Sequence, residues 1–337
     1  MELTDRDAGT PAARAVLGAA QGALGPDIAL AGPPAVVAGG FGRGAYECAL
    51  AVPGPPPWDG PVVVRVGATA AAARQEAAWH GACAAHGCPV PPVLAVVEGE
   101  DGAAVVVARG PARSLVEVLG ENPLVIPELL RSMAAVHARL RAIPTSAAPP
   151  GTPSATVEPP LDVLDARLAA RGLAERFGAE RSWLAAHEPP PAPPAVCHGD
   201  FQPAVVRLDA SDVGAAVVVD WSSARLADPE YDLALTTLMF WSVPYLADGI
   251  AQRKMLKTVR EMIVDGYRAA YEAAAGPLDP DRLRYWGAYH ALGWAARLAA
   301  AERDGPPADP WDPVHLVHHA AAYRKDLARR LGRLASD

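Results

Sequence analysis

The chain of 337 residues is predicted to adopt an α+β fold of two lobes, a small N-terminal lobe (residues 1–108) and a larger, mainly helical C-terminal lobe (residues 109–337). Two observations support this prediction. Runs of β-branched residues separated by turn signals occupy much of the first third of the chain, and long segments of helical pattern occupy the last third. The small lobe should therefore contain an antiparallel sheet plus one helix.

The elements of the small lobe follow one another after an initial helix. Val36 to Cys48 is typical of a strand, a glycine-rich turn and a second strand, and the turn includes Gly40 and Gly42. Glycines allow close approach to phosphate oxygens, but a hairpin without a ligand has the same pattern, so both interpretations stay open. The remaining predicted elements are a strand at Pro61–Val66, a helix at Ala70–His86, and strands at Val93–Val97 and Ala103–Ala108.

The large lobe begins with a helix predicted from about Pro127 to Ala142. Proline-rich stretches at Pro144–Pro160 and Pro189–Pro194 indicate connectors. After Asp232 the chain is predicted to be helical, in segments Leu233–Tyr245, Gln252–Ala274, Pro280–Arg303 and Pro313–Leu334. The longest apolar run, Leu233 to Ala247, is too short and too interrupted to span a bilayer, so we expect a core helix and no membrane association.

Composition excludes several classes of function. The net charge of −8 and the absence of a basic stripe interleaved with aromatic residues argue against a nucleic-acid partner. No apolar segment follows the charged N-terminus, so no signal peptide is expected. The four cysteines, at positions 48, 83, 88 and 197, have no disulfide or zinc-binding spacing. Reduced thiols and a cytoplasmic location are therefore expected, and the sequence leaves the oligomeric state open.

Two acidic loops carry the chemistry that the sequence suggests. Asp200 lies in a short loop after an apolar segment, and Asp220 ends the run Ala216–Val219, which is typical of a buried strand. Two such loops folded together would hold one carboxylate near an attacking hydroxyl and the other on a metal ion bound to nucleotide phosphates. Each aspartate could also be an ordinary loop or turn residue.

The surrounding residues resemble the aminoglycoside phosphotransferase family, also called the choline-kinase-like family of small-molecule kinases. That family has loops that read H-G-D-x-x-P-x-N, I-D-W or I-D-F, and D-P-x-x-D-L-A. The chain supplies His198-Gly199-Asp200 with Pro203, then Asp220-Trp221, then Asp228-Pro229-Glu230-Tyr231-Asp232-Leu233-Ala234, in the same order and at family spacing. The resemblance implies a bilobal protein-kinase-like fold that passes the γ-phosphoryl group of ATP or GTP, with Mg²⁺, to a hydroxyl of a small molecule.

The resemblance also implies roles for individual residues. Asp200 would orient the hydroxyl and accept its proton, beside His198, which is expected to orient the loop rather than act as the base. Asp220 would bind the metal ion. Asp232 would cap a helix or support the catalytic loop. The residues expected to contact the nucleotide are Gly40, Gly42, Arg65, Glu76 and Arg109, the last within the hinge Ala108-Arg109-Gly110-Pro111. Among them, Glu76 matches the family's acidic partner that pairs with the phosphate-binding cation, here Arg65.

Two positions depart from the family pattern. Arg65 stands where the family usually carries a phosphate-binding lysine, and its planar guanidinium differs in shape from an ammonium, although it could also be a solvated strand residue. Val205 stands at the second metal ligand, and its isopropyl group cannot coordinate Mg²⁺. A degenerate binding or regulatory module with weak or no transfer activity is therefore the alternative to a phosphotransferase.

The acceptor is less constrained than the reaction. An enzyme acting on a peptide hydroxyl or on a pathway intermediate would have the same active-site pattern. Acidic and basic residues are about balanced in the helical region that would form the acceptor pocket. This balance argues against a polycationic aminoglycoside as the acceptor.

Overall fold

A computed structural model gives the fold of the protein. It describes residues 5–37, 44–99, 102–111, 113–115, 118, 125–154, 160–209, 212–242, 250–305, 327, 329 and 331. These residues divide into two compact units, and every statement below applies within one unit. The first unit comprises residues 1–121, 147–152 and 204–224, and the second comprises residues 122–146, 153–203 and 225–337.

The first unit is built on an antiparallel five-stranded sheet with strand order β1-β2-β3-β5-β4. Its strands and helices are α1 (Asp5–Leu24), β1 (Ala35–Val36), β2 (Ala45–Cys48), β3 (Val62–Ala68), α2 (Ala70–Ala85), β4 (Val93–Gly99) and β5 (Gly102–Ala108). Thr69 caps α2 because its hydroxyl accepts a hydrogen bond from the Ala72 amide at 3.2 Å. The strands and helices predicted for the small lobe are thus confirmed.

The side chains of β3 point alternately to the two faces of the sheet, and this determines which of them pack against α2. Val62 and Val64 pack in the apolar cluster that contains α1, whereas Val63 packs against the cluster that contains α2. Since side chains alternate between the two faces of a strand, Arg65 lies on the same face as Val63. It therefore points toward α2 and can reach Glu76 there.

A second, three-stranded sheet completes the first unit, with strand order β6-β8-β9. Its strands are β6 (Arg113–Ser114), β8 (Val206–Asp209) and β9 (Asp212–Val218). A short 3-10 helix, Trp221–Ser223, follows β9. The amide of Val218 donates to the carbonyl of Pro89 at 2.8 Å, which joins this small sheet to the segment before β4.

The second unit is mainly helical and has a two-stranded sheet of β7 and β10. Its elements are α3 (Ile126–Arg141), α4 (Pro160–Ala170), α5 (Gly178–Ala186), β7 (Ala195–Cys197), β10 (Arg225–Ala227), α6 (Tyr231–Ser242), α7 (Ile250–Ala275) and α8 (Pro280–Asp304). Pro280 at the first turn of α8 and Asp279 at its N-cap, which accepts from the amides of Asp281 and Arg282, explain where that helix begins.

The sequence predictions for this unit hold for α3, α6, α7 and α8 but are incomplete. The helices α4 and α5 were not expected, and α4 begins at Pro160, where a proline-rich connector was predicted to end. Proline is favoured in the first turn of a helix, so the same residue ends the connector and begins the helix. The predicted helix at Pro313–Leu334 lies almost wholly outside the described residues.

The predicted boundary between the two lobes, at residues 108 and 109, stays a prediction. The compact units follow another division, because residues 109–121 and 204–224 belong with the N-terminal sheet. All four cysteines are buried, and none of them is in a disulfide bond. Among the helices that the structure describes, none is both long enough and apolar enough to cross a membrane.

Gly110 provides a test of packing in the first unit. A Cβ atom on Gly110 would lie 2.8 Å from Cγ2 of Val217, a stiff β-branched side chain, whereas a Cβ atom on Gly81, exposed in α2, would have open space around it. We expect Gly110→Ala to lower the free energy of unfolding by about 1–3 kcal/mol. Gly81→Ala should raise it by about 0.5–1 kcal/mol.

Urea unfolding of both variants measures these changes. Val217→Ala should relieve the steric overlap, so a double-mutant cycle should show that it rescues Gly110→Ala. Equal stability of Gly110→Ala and the parent would contradict the close contact.

Candidate active site

A cleft of about 750 Å³, part of it open to solvent, lies in the first unit. Ligand sites are usually concave, mostly apolar and equipped with a few convergent polar groups, and this cleft has that composition. Its apolar wall is formed by Val37, Ala45, Val63, Pro91, Val107 and Val219, with the segment Ala108–Pro111 beside them. Its polar residues are Glu47, Arg65, Glu76, His80, Arg109, Arg207 and Asp220.

Arg65 joins two acids at one end of the cleft. Its Nη1 atom lies 3.1 Å from Oε1 of Glu76 and is also paired with Oδ1 of Asp220. The side chains are largely buried, with relative exposures of 15% for Arg65, 4% for Glu76 and 12% for Asp220. Guanidinium remains charged throughout the working pH range, so this end of the cleft carries a permanent cation between two carboxyl groups.

Asp220 has an unusual backbone. Its φ of 68° is the only positive φ at a non-glycine residue in the described part of the chain. Such a conformation costs of order 1–3 kcal/mol and persists only when its surroundings fix it. The neighbours do so, because the Trp221 indole donates to the carbonyl of Val218 at 3.2 Å and the Ser222 hydroxyl donates to Oδ1 of Asp220 at 2.7 Å. The strand β9 and the 3-10 helix thus aim this carboxylate into the cleft.

Burial changes the ionisation of two groups beside Arg65. Burial raises the pKa of Glu76 to about 7, while Arg65 acts in the opposite direction. Burial lowers the pKa of His80 to about 4, so its imidazole is neutral near pH 7. The Nδ1 atom of His80 lies 3.0 Å from the carbonyl of Pro91, which fixes the proton on Nδ1. The other ring nitrogen is therefore an acceptor at the wall of the cleft.

The predicted hinge lines the same cleft. The amides of Ala108 and Arg109 donate to the carbonyls of Pro92 and Pro61, at 2.9 and 3.0 Å. Because proline has no N–H, neither Pro92 nor Pro61 can return a bond to the hinge carbonyls. The side chain of Arg109 pairs with Glu47, with 2.9 Å between Nε and Oε2, and both are about one-third exposed.

The loop that contains Asp200 belongs to the second unit. His198 is fully buried, and its Nδ1 atom accepts a hydrogen bond of 3.3 Å from the amide of Asp200. The side-chain amide of Gln202 donates to Oδ1 of Asp200 at 3.0 Å. Gly199 has a φ of 81°, which a glycine adopts without strain. The loop therefore holds the Asp200 carboxylate by contacts with its own neighbours.

Asp232 supports this loop from α6. Its two carboxylate oxygens accept from the backbone amides of His198 and Gly199, the latter at 2.9 Å. Burial raises the pKa of Asp232 to about 6, although the two N–H donors favour the ionised form. Asp228, in the same motif, pairs with Arg282 and accepts from the amide of Glu230 at 3.0 Å. The motif from Asp228 to Asp232 thus ties the loop to two helices.

The residues for a metal ion are incomplete. Asp220 offers one carboxylate, but position 205 holds a valine that is 1% exposed. The carbonyl of Val205 accepts from the amide of Val219 at 3.0 Å. The described residues contain no group of three or more histidine, cysteine or acidic side chains that could hold a metal ion. Asp220 with nucleotide phosphates could hold one Mg²⁺, because Mg²⁺ binds through one or two carboxylates plus substrate phosphates.

The structure thus brings Arg65, Glu76, Asp220 and Arg109 into one cleft and places Asp200 with His198 in the second unit. Gly40 and Gly42 lie outside the described residues. Sequence reasoning missed Glu47, His80 and Arg207, which also line the cleft. Arg207 is buried, and it interrupts the apolar run from Ala204 to Leu208. A charged residue inside such a strand was a usable signal, because buried charges need a partner or a function.

Comparisons with known proteins identify the family and the fold. A sequence model of the phosphotransferase enzyme family matches residues 57–286. Comparison with curated protein sequences finds no match.

Among solved structures, a candidate aminoglycoside phosphotransferase from Ralstonia eutropha JMP134 is 17% identical, with a TM-score of 0.67 over 96% of this chain and 98% of that one. An aminoglycoside phosphotransferase from Streptomyces rimosus, solved with ADP and streptomycin, is 19% identical, with a TM-score of 0.53 over 77% and 92%. An ethanolamine kinase from Plasmodium vivax is 12% identical, with a TM-score of 0.52 over 98% and 89%. These similarities confirm the predicted kinase-like α+β fold.

The raised pKa of Glu76 predicts how stability depends on pH. The folded-state pKa of about 7 lies above the ordinary value of 4.5, so this group stabilises the fold fully below about pH 4.5 and loses that contribution as pH rises to about 7. Over this window the free energy of unfolding should fall less steeply in Glu76→Gln than in the parent.

Denaturant unfolding at several pH values measures this slope. Glu230 and Asp232 have raised pKa values too, so the slope in Glu76→Gln should be reduced and not abolished. Glu98→Gln is the matched control, because the side chain of Glu98 is exposed and pairing with Arg74 lowers its pKa. Identical slopes in the parent and Glu76→Gln would mean that Glu76 is ionised throughout the window.

Proposed function

Since the chain belongs to the phosphotransferase enzyme family, we propose that it transfers the γ-phosphoryl group of ATP or GTP to a hydroxyl of a small molecule. The observation that carries this proposal is the cleft, which has an apolar wall and the hinge on its lining and holds Arg65 together with Glu76 and Asp220. Phosphoryl transfer depends mainly on positioning and on electrostatic stabilisation, and both are within reach of this arrangement.

Each residue has a proposed role in this reaction. Asp200 orients the acceptor hydroxyl and accepts its proton, while His198 and Asp232 hold the loop that carries it. Arg65 contacts the phosphates and is kept in place by Glu76. Asp220 would hold Mg²⁺ brought with the nucleotide, and that ion would offset charge on the phosphate oxygens.

The nucleotide would lie with its base against the hinge. Pro92 and Pro61 have no N–H group and cannot donate to the carbonyls of the hinge. These carbonyls are therefore proposed as acceptors for donors on the base edge, which both adenine and guanine carry. Gly40 and Gly42 are proposed to approach the phosphates through their backbone amides. Parallel titrations with ATP and GTP would decide between the two nucleotides.

The acceptor is proposed as a small hydroxyl compound of a class broader than aminoglycosides. Solved structures of similar fold include enzymes named for aminoglycosides and for ethanolamine, and identities of 12–19% support the fold alone. Acidic and basic residues are about balanced in the helices after Asp232, which favours an acceptor less cationic than an aminoglycoside. A panel of amino alcohols, sugars and aminoglycosides, assayed for ADP formation, tests this proposal.

A binding or regulatory module is the second candidate function. One observation favours it: Val205 is buried and supplies no side-chain oxygen where the family has a metal ligand. Charge neutralisation during transfer would then be incomplete and turnover slow. Retention of Asp200 and Asp220, the two acids that the chemistry needs, favours the enzyme.

Replacement of Asp200 separates catalysis from binding. We expect Asp200→Asn to abolish phosphoryl transfer while nucleotide affinity stays within about twofold, because asparagine keeps the volume but cannot accept the proton. Coupled ADP release measures transfer, and calorimetry measures binding. Asp27→Asn is a control that changes an exposed acid outside the proposed site. Transfer at the parental rate by Asp200→Asn would exclude Asp200 as the base.

Replacement of Val205 distinguishes an impaired enzyme from a module. Asparagine at this position should supply the missing oxygen, so Val205→Asn should raise Mg²⁺-dependent ATP turnover by tenfold or more, equivalent to about 1.4 kcal/mol of barrier. The Mg²⁺ dependence of nucleotide affinity should rise with it.

Val205→Ala, which changes the buried volume without adding an oxygen, controls for the change in packing. If Val205→Asn folds, binds nucleotide as the parent does and gains no turnover, the impaired-enzyme interpretation is wrong. High parental turnover without a gain would mean that another group already provides the oxygen.

A further inference from the structure

We propose that Arg65 is a built-in cation of the nucleotide site, so that the cleft binds a nucleoside triphosphate without a divalent metal ion. The proposal rests on the nucleotide-binding part of the proposed function and concerns the regulation of that same site. It assigns the metal ion, where one takes part, to the transfer step and not to binding.

The first argument is the state of the Asp220 carboxylate. Its Oδ1 atom already accepts from the Arg65 guanidinium and from the Ser222 hydroxyl. A metal ion at this oxygen would have to displace the guanidinium or lie beside it, and two cations at that distance repel one another strongly in a partly buried site. The charge of the Asp220 carboxylate is therefore partly offset before any metal ion arrives.

The second argument is the lack of a further oxygen ligand at position 205. Val205 has an apolar side chain, and its carbonyl is used by the amide of Val219 at 3.0 Å. Mg²⁺ requires oxygen ligands in a nearly octahedral arrangement. One shared carboxylate gives the protein little affinity of its own for the ion, so a metal ion would depend on the nucleotide for most of its ligands.

The third argument is the way in which Glu76 holds Arg65. Glu76 is buried on α2 and accepts from Arg65 and from the backbone amide of Trp221, so the guanidinium is held in place from α2. Both acids bind the same nitrogen, Nη1. A guanidinium is a planar fork of five N–H donors, and this geometry suits phosphate oxygens. A lysine ammonium has a single nitrogen for all of these partners.

The numbers of basic and acidic side chains in the cleft also support nucleotide binding without a metal ion. Three arginines, at positions 65, 109 and 207, line it together with three acids, at positions 47, 76 and 220. The protein thus offsets its own carboxylates without an added ion. The negative charge of a triphosphate then meets a site whose carboxylates are already offset by arginines.

Calorimetric titration of the full-length protein with ATP, in excess Mg²⁺ and in EDTA, tests the proposal. The parental dissociation constant for ATP should change by less than about tenfold between the two conditions, that is by less than about 1.4 kcal/mol. Arg65→Lys should weaken binding in EDTA by at least tenfold and recover most of it in Mg²⁺. Arg74→Lys, which alters an exposed arginine paired with Glu98, is the matched control and should behave as the parent does.

The outcomes separate this proposal from the proposed function. Parental binding that is lost in EDTA overturns the built-in cation but leaves the phosphotransferase standing. Absence of ATP binding in both conditions overturns both proposals. If a folded Arg65→Lys, checked by circular dichroism, binds ATP in EDTA as the parent does, Arg65 is not the cation. If Arg65→Lys fails to fold, the proposal can still be refuted, because the comparison of the parent in Mg²⁺ and in EDTA needs no variant.

Discussion

The pairing of one guanidinium with two acids sets the arrangement of the candidate site. Arg65 comes from a central strand, Glu76 from the helix that follows it, and Asp220 from the end of β9. The strand β9 is far from the other two elements in sequence, and the ion pairs join all three at one end of the cleft. Because a buried charge that loses its partner costs several kcal/mol, each member of the group constrains the other two.

The fold explains why this group can form at all. Alternation in β3 places Arg65 on the face of the sheet that α2 covers, and the apolar residues on the other face pack with α1. A shift of one residue in the register of β3 would turn Arg65 toward α1 and away from both acids. The valine-rich pattern of the sheet thus fixes the electrostatics of the cleft as well as its core.

Sequence reasoning predicted the sheet, α2 and the long helices because β-branched runs and helical periodicity are local signals. It also predicted the pairing of Arg65 with Glu76. It could not predict that Arg65 would bind Asp220, because residues more than 150 positions apart meet only through the tertiary fold. The helix α4 was predictable, since Leu161, Leu164 and Leu168 recur at helical spacing and are buried. The proline-rich stretch that ends at Pro160 indicated a connector instead, because proline both ends loops and begins helices.

The packing of Phe201 links the loop of Asp200 to the interior of the helical unit. Phe201 follows Asp200 directly, is fully buried and stacks on His137 of α3, with 4.3 Å between ring centroids. His137 in turn contacts the hydroxyl of Tyr267 on α7, at 2.7 Å from Nδ1. The aromatic residues inside the second unit therefore help to fix the position of the loop that carries Asp200. Substitutions at these rings would displace the loop of Asp200 without touching it, so the sequence can vary less at these buried positions than at residues outside this stack.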